Sequence, residues 1–205
     1  MDKRYAIFDM DGTLVDSMGF WKHLATEYLQ SKGIFPVPAN ILERIKPMTM
    51  SESAELFKRE FGLTCDVEAE MNAMMEAHYR NDIPLKPGVF EYLQAHRDAR
   101  MCVASATAEH LMEACLGRLG VLPCFEFLLS CESVGAGKNS PAVFLEAARR
   151  LGAEPDEIAV FEDALYAINT AKQAGFYVVA VSDEAADRNA VKAAADEFIS
   201  WEEQL

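Results

Sequence analysis

Residues 5–16 read Tyr-Ala-Ile-Phe-Asp-Met-Asp-Gly-Thr-Leu-Val-Asp, and this stretch guides the interpretation of the whole chain. A short apolar run ends at two carboxylates, Asp9 and Asp11, which are followed by Gly12. In an extended strand, residues two apart point to the same side, so both carboxylates face one space. Adjacent carboxylates at a buried strand end repel each other and lose hydration, and a divalent cation such as Mg²⁺ is the simplest compensation. The alternative is a strand that runs into an acidic turn without a ligand.

The composition is that of an ordinary globular protein with a strong acidic bias. The chain has 205 residues, of which 51% are apolar and 25% charged, enough for one core with a small second domain. Its net charge of −14 disfavours nucleic acid and anionic membranes as partners. Apolar runs are too short for a signal peptide or a membrane span, and five scattered cysteines lack Cys-x-x-Cys spacing. We therefore expect a cytoplasmic protein with reduced thiols.

Apolar runs alternate with helical patterns between residues 100 and 181. The predicted strands are 100–104, 126–130, 158–161 and 176–181, and the predicted helices between them are 108–119, 141–151 and 164–174. This alternation predicts an α/β fold, a Rossmann-like doubly wound parallel sheet with helices on both faces. Because right-handed crossovers bring the carboxyl ends of parallel strands to one edge, we expect a ligand site there.

The segment between the first strand and this region shows only helical and loop patterns. Helices are predicted to begin at three N-cap candidates, namely Ser17, Thr49 and Asp66. An insertion after the first strand lies at the expected functional edge, as a lid would. We therefore predict a discontinuous Rossmann-like catalytic core at residues 1–15 and 87–205, and an α-helical bundle cap domain at residues 16–86.

Polar side chains follow three further predicted strands. Ser105 could donate a hydrogen bond to a phosphoryl oxygen, although serine is also a common helix N-cap. Lys138 precedes a predicted helix and could clamp a phosphate, because its charge adds to the positive end of the helix dipole. The alternative for Lys138 is a solvated loop lysine. Glu162 and Asp163 end a strand, and with Asp9 they could complete an oxygen shell for Mg²⁺.

The order of these motifs is Asp-x-Asp-Gly-Thr-Leu-Val-Asp, then Ser, then Gly-Lys-x-x-Pro, then Phe-Glu-Asp. This order resembles the haloacid dehalogenase (HAD) superfamily, in the helical-cap branch that includes β-phosphoglucomutases and phosphoglycolate phosphatases. The resemblance covers nearly the whole chain. It implies a Rossmann-like core, a helical-bundle cap and Mg²⁺-dependent phosphoryl transfer.

The resemblance also implies a role for each motif residue. Asp9 would be the nucleophile that forms an aspartyl-phosphate, and Asp11 would be the general acid and base. Mg²⁺ would be held by Asp9, the main-chain carbonyl of Asp11 and Asp163, with Glu162 bound directly or through water. The phosphoryl oxygens would be bound by Ser105 and Lys138.

Hydrolysis of a small phosphomonoester, such as a sugar phosphate, is the predicted activity. A sugar phosphomutase of the phosphoglucomutase type is the alternative, although His23 lies further from the first motif than in that pattern and residues 46–50 lack its arginine. The phosphonatase branch uses a cap lysine, for which Lys46 and other lysines of the segment offer no recognisable motif. A more remote alternative is a phosphoacceptor or binding module without turnover. The expected partner is a small phosphorylated metabolite, with no nucleic acid or membrane, and a monomer or weak dimer is expected.

Overall fold

A computed structural model describes residues 3–45, 48 and 50–204 of the chain. It divides into two compact units, Met1–Met18 with Ile83–Leu205, and Gly19–Asp82. Their bounds lie within a few residues of the predicted core and cap, and the role of the second unit as a cap stays a prediction. The N-cap predicted at Thr49 lies outside the described residues, and so does Lys46, one of the lysines that offered no phosphonatase motif.

The described residues of the first unit contain a six-stranded sheet in which every pairing is parallel. The strands are β1 (Tyr5–Phe8), β2 (Arg100–Ser105), β3 (Leu128–Ser130), β4 (Ile158–Glu162), β5 (Tyr177–Val181) and β6 (Glu197–Ile199). Their spatial order is β3-β2-β1-β4-β5-β6, in which β1 and β4 are the central strands. Because the chain winds outward in both directions from β1, this order is that of a doubly wound Rossmann-like sheet, as predicted.

The described part of the chain contains ten α-helices. The first four are α1 (Met18–Ser31), α2 (Ala39–Ile45), α3 (Met50–Phe61) and α4 (Val67–Asn81). The others are α5 (Val89–Ala95), α6 (Glu109–Arg118), α7 (Cys131–Val134), α8 (Ala142–Leu151), α9 (Leu165–Gln173) and α10 (Arg188–Ala194). The N-cap predicted at Asp66 is confirmed, since its carboxylate accepts the Ala69 N–H at 3.2 Å. In this part of the chain, no helix has both the length and the hydropathy of a membrane span.

Side chains on both faces of the central strands are buried. On one face, Ile7 belongs to a cluster with aliphatic residues of α8, α9 and α10. On the other face, the rings of Phe8 and Phe161 stack with centroids 4.4 Å apart, and Trp201 stacks on Phe161 at 5.8 Å. Burial on both faces explains why these strands are continuous apolar runs instead of alternating patterns.

Two stretches of the first unit pair with each other beside the sheet edge. Val15 and Leu85 form an isolated antiparallel bridge. The Asp16 N–H donates to the Pro84 carbonyl, and the Lys86 N–H donates to the Leu14 carbonyl, each at 3.0 Å. These bonds fix residues 84–86 against the loop that follows β1.

Candidate active site

The loop after β1 is held in place by its backbone and by Gly12. The Asp9 N–H donates to the Phe161 carbonyl at 2.9 Å, which continues the sheet bonding beyond β1. Gly12 has a φ of 81°, a conformation that L side chains rarely adopt. A Cβ at this position would lie 2.5 Å from Asp163 Oδ2. Glycine therefore allows the β1 loop to lie directly against Asp163.

Three carboxylates from two strand ends converge next to this loop. One oxygen each of Asp9, Glu162 and Asp163 lies within 4.8 Å of the others. The three residues are only 6%, 1% and 6% exposed. Mg²⁺ prefers carboxylate oxygens as ligands, so this donor set fits the predicted ion.

Burial raises the pKa of all three carboxyl groups. For Asp163, burial and the charge of Asp9 raise the pKa to about 7, although the Thr13 hydroxyl donates to Oδ1 at 3.0 Å and lowers it. Burial and the charge of Asp9 also raise the pKa of Glu162 well above its usual range. The ionised cluster is therefore costly, and a bound cation would stabilise it.

Lys138 is the positive charge within this cluster. Its side chain is 3% exposed, and Nζ pairs with Asp9 Oδ1 and, at 3.2 Å, with Glu162 Oε2. Burial opposes its charge, but the two carboxylates outweigh this effect and raise the pKa of Lys138. The alternative of a solvated loop lysine is therefore wrong. Its predicted contact with phosphate stays a prediction.

Asp11 lies beside the cluster with both carboxylate oxygens hydrogen-bonded. Oδ1 accepts the Ser17 hydroxyl at 2.7 Å, and Oδ2 accepts the Thr107 hydroxyl at 2.6 Å. The sequence offered Ser17 only as a helix N-cap and did not single out Thr107 or Thr13. Thr13 lies two residues after Asp11, and Thr107 lies two residues after Ser105. This proximity to predicted site residues was the available signal.

Ser105 is the last residue of β2 and is buried. Its Oγ accepts the Thr107 N–H at 3.1 Å, whereas α6 begins later, at Glu109. Its hydroxyl therefore stabilises the turn after β2 and is not the N-cap of α6. A serine hydroxyl that accepts one hydrogen bond can also donate one, so its phosphate contact stays a prediction.

Comparison with known proteins identifies sequence relatives. A family model for haloacid dehalogenase-like hydrolases matches residues 3–175. The fructose-1-phosphate phosphatase YqaB of Escherichia coli is 29% identical over 185 residues, covering 88% of this chain and 98% of that protein. The beta-phosphoglucomutase of Bacillus subtilis is 27% identical over 189 residues, covering 85% of this chain and 81% of that protein.

Solved structures match over nearly the full length. A Thermotoga maritima protein assigned as a beta-phosphoglucomutase superposes with a TM-score of 0.84 at 24% identity, covering 97% of this chain and 95% of that chain. CbbY from Rhodobacter sphaeroides, in complex with phosphate, superposes with a TM-score of 0.74 at 23% identity, covering 96% of this chain and 93% of that chain. At these identities the likeness establishes the fold, and the predicted fold class is confirmed.

Proposed function

The chain belongs to the haloacid dehalogenase-like hydrolases, and from this premise we propose that it is a Mg²⁺-dependent phosphatase acting through an aspartyl-phosphate. The observation that supports this most directly is the buried cluster of Asp9, Lys138, Glu162 and Asp163. The relatives include a fructose-1-phosphate phosphatase and a hexitol phosphatase, both from Escherichia coli. We therefore propose a small sugar phosphate or a similar phosphomonoester as the substrate.

In this proposal, Asp9 is the nucleophile. A bond forms from its carboxylate oxygen to phosphorus while the ester P–O bond breaks, and Lys138 neutralises negative charge beside the attacking carboxylate. Mg²⁺ would be held by Asp9 and Asp163, with the main-chain carbonyl of Asp11 and with Glu162, and would supply further positive charge at the phosphoryl oxygens.

Asp11 is the proposed general acid and base. It would protonate the leaving alcohol, then take a proton from the water that attacks the aspartyl-phosphate and releases phosphate. Both of its oxygens accept hydrogen bonds, from Ser17 and Thr107. Each oxygen keeps a second lone-pair site, which can carry the proton that is passed to the leaving group.

The sugar phosphomutase alternative is supported by the name of the Bacillus subtilis relative. A mutase must also bind a second phosphate while its intermediate turns over. The loop after β2 brings no cation between Ser105 and Glu109, and the Glu109 carboxylate accepts the Ser133 hydroxyl at 2.8 Å. A loop without a cation favours hydrolysis over mutase activity, and the family favours an enzyme over a non-catalytic phosphoacceptor.

The test uses p-nitrophenyl phosphate, whose leaving group needs no proton. With Mg²⁺, Asp11→Asn should accumulate the mass increment of one phosphoryl group on Asp9, while the isosteric control Asp9→Asn should gain none. Phosphate release by Asp9→Asn, or full activity in excess EDTA, would contradict the proposal.

Conversion of β-glucose 1-phosphate to the 6-phosphate with a bisphosphate primer, faster than phosphate release, would favour the mutase. A panel of phosphomonoesters then identifies the substrate by kcat/KM.

A further inference from the structure

A second, largely buried ion pair lies at the same edge of the sheet. Lys86 Nζ pairs with Asp183 Oδ2 at 2.6 Å and also donates to the Ser182 carbonyl at 2.8 Å. The side chains of Lys86 and Asp183 are 11% and 4% exposed. Asp183 Oδ1 accepts the Ala185 N–H at 2.8 Å, so both carboxylate oxygens are held. None of these residues belongs to the catalytic and metal set proposed above.

Backbone and side-chain hydrogen bonds connect this pair to the carboxylate cluster. The Lys86 N–H donates to the carbonyl of Leu14 at 3.0 Å. The preceding residue, Thr13, donates its hydroxyl to Asp163 at 3.0 Å. Lys86 is therefore fixed to the same short loop that holds Asp163 in place.

The sheet register places the two aspartates at neighbouring strand ends. β4 and β5 are parallel neighbours, with Glu162 opposite Ala180. Asp163 follows β4 directly, and Asp183 follows β5 two residues after its end. After burial and the charge of Asp9, the charge of Asp183 also contributes to the raised pKa of Asp163. Asp183 is thus an additional carboxylate beside a cluster that is already rich in negative charge.

We propose that Lys86 is a positioning residue that neutralises Asp183 and holds it away from the metal cluster, and so sets the affinity of that cluster for Mg²⁺. This inference rests on the proposed metal site. An Asp183 without its lysine would add negative charge beside the cluster and attract a divalent cation more strongly. A Lys86 without its aspartate would leave an uncompensated positive charge there and repel the cation.

The two single variants should change the affinity for Mg²⁺ in opposite directions, and this separates the proposed role from a merely structural one. Breaking a buried ion pair destabilises the fold whichever partner is removed. A purely structural pair would therefore weaken Mg²⁺ binding in both single variants. The proposed electrostatic role predicts tighter binding when Lys86 is neutralised and weaker binding when Asp183 is neutralised.

The experiment titrates MgCl₂ into EDTA-treated, dialysed full-length protein by isothermal calorimetry, with folding checked by circular dichroism. We expect Lys86→Met to lower the Kd for Mg²⁺ about threefold or more, and Asp183→Asn to raise it by a similar factor. The double variant should return near the wild-type Kd, since neither charge remains. Lys86→Arg, which keeps the charge, is the matched control, and Lys86→Gln replaces Lys86→Met if the latter does not fold.

The outcomes distinguish the inference from the metal site on which it rests. Kd shifts in the same direction for both single variants, or no shift in either, would overturn the role of Lys86 while leaving the metal site intact. Wild-type protein that binds no Mg²⁺, or Asp163→Asn that binds it equally well, would overturn the metal site and the inference together.

Discussion

Each unit contains a lysine in contact with carboxylates, and the pKa values of these carboxyl groups are shifted in opposite directions in the two units. In the first unit, Lys138 contacts the buried carboxylates of Asp9 and Glu162, whose pKa values are nevertheless raised by burial. In the second unit, the Glu70 side chain is 40% exposed and pairs with Lys32 at 2.8 Å. There, hydrogen bonds from Lys32 and Tyr28 lower the pKa of Glu70 to about 2.

The difference lies in solvent and in the balance of charge. Glu70 has a cation, a hydroxyl donor and water, so its ionised form is well stabilised. In the first unit, three buried carboxyl groups, those of Asp9, Glu162 and Asp163, share the single positive charge of Lys138. A lysine therefore satisfies the carboxylate of the second unit, whereas the carboxylates of the first unit lack part of their compensating charge, which the proposed divalent cation would supply.

The largest effect is expected from Asp9→Asn. This change removes the proposed nucleophile, so kcat/KM for p-nitrophenyl phosphate should fall on the order of 10⁴-fold or more. The melting temperature should stay close to that of the wild type, because the change also removes one negative charge from a cluster in which the carboxylates repel each other. Glu70→Gln, which removes the carboxylate of Glu70 in the second unit, is the control and should turn over p-nitrophenyl phosphate at the wild-type rate. Substantial activity in Asp9→Asn would remove Asp9 from the nucleophile role.

A smaller loss is expected from Lys138→Met. In the proposed mechanism Lys138 stabilises the transition state, so removing its charge should lower kcat/KM on the order of 10²–10³-fold. The variant should also melt at a lower temperature without Mg²⁺ and recover on its addition, since the carboxylates have lost their only bonded lysine among the described contacts. The matched change Lys32→Met leaves Glu70 in contact with water, and its melting temperature should hardly move. Equal thermal effects of the two changes would contradict the comparison.

The raised pKa of Asp163 predicts an unusual pH dependence for the metal-free protein. Its pKa is about 7 in the fold against 3.8 as the reference, so the native state binds more protons than the unfolded state between these values. The stabilising contribution is complete below about pH 4 and is lost as the pH rises through about 7. In EDTA, the melting temperature should therefore fall from pH 5 to pH 8, and Mg²⁺ should reduce this fall.

Asp163→Asn is the control for this pH dependence. It lacks the titrating group, so its melting temperature in EDTA should change less over the same pH range. If the wild-type melting temperature falls no more than that of the variant between pH 5 and pH 8, the carboxylate of Asp163 is not held in its protonated form.

Sequence patterns predicted which polar residues end or follow the central strands. They could do so because the edge at which these residues meet depends only on where the strands end and on the parallel topology. They did not predict β6 and α10 at the sheet's far edge, since elements of three and seven residues offer too little periodicity. Nor did they pair Thr13 with Asp163, or Lys86 with Asp183, because residues 150 and 97 positions apart meet only through the tertiary fold.

The smallest effect is expected from Thr13→Val, which removes the donor to Asp163 without changing the size of the buried side chain much. Loss of one buried hydrogen bond should cost about 1–2 kcal/mol in the free energy of unfolding. Because the bond stabilises the ionised carboxylate, its loss raises the pKa of Asp163 further, and the cost in EDTA should be larger at pH 8 than at pH 5.

Tyr28→Phe makes the corresponding change in the second unit, where the hydroxyl donates to Glu70 at 2.7 Å. Glu70, with a pKa of about 2, is ionised at both pH 5 and pH 8. The destabilisation caused by Tyr28→Phe should therefore be the same at both pH values, as measured by denaturant unfolding. If Thr13→Val is equally independent of pH, Asp163 does not titrate in this range, and the two clusters do not differ in the charge state of their carboxylates.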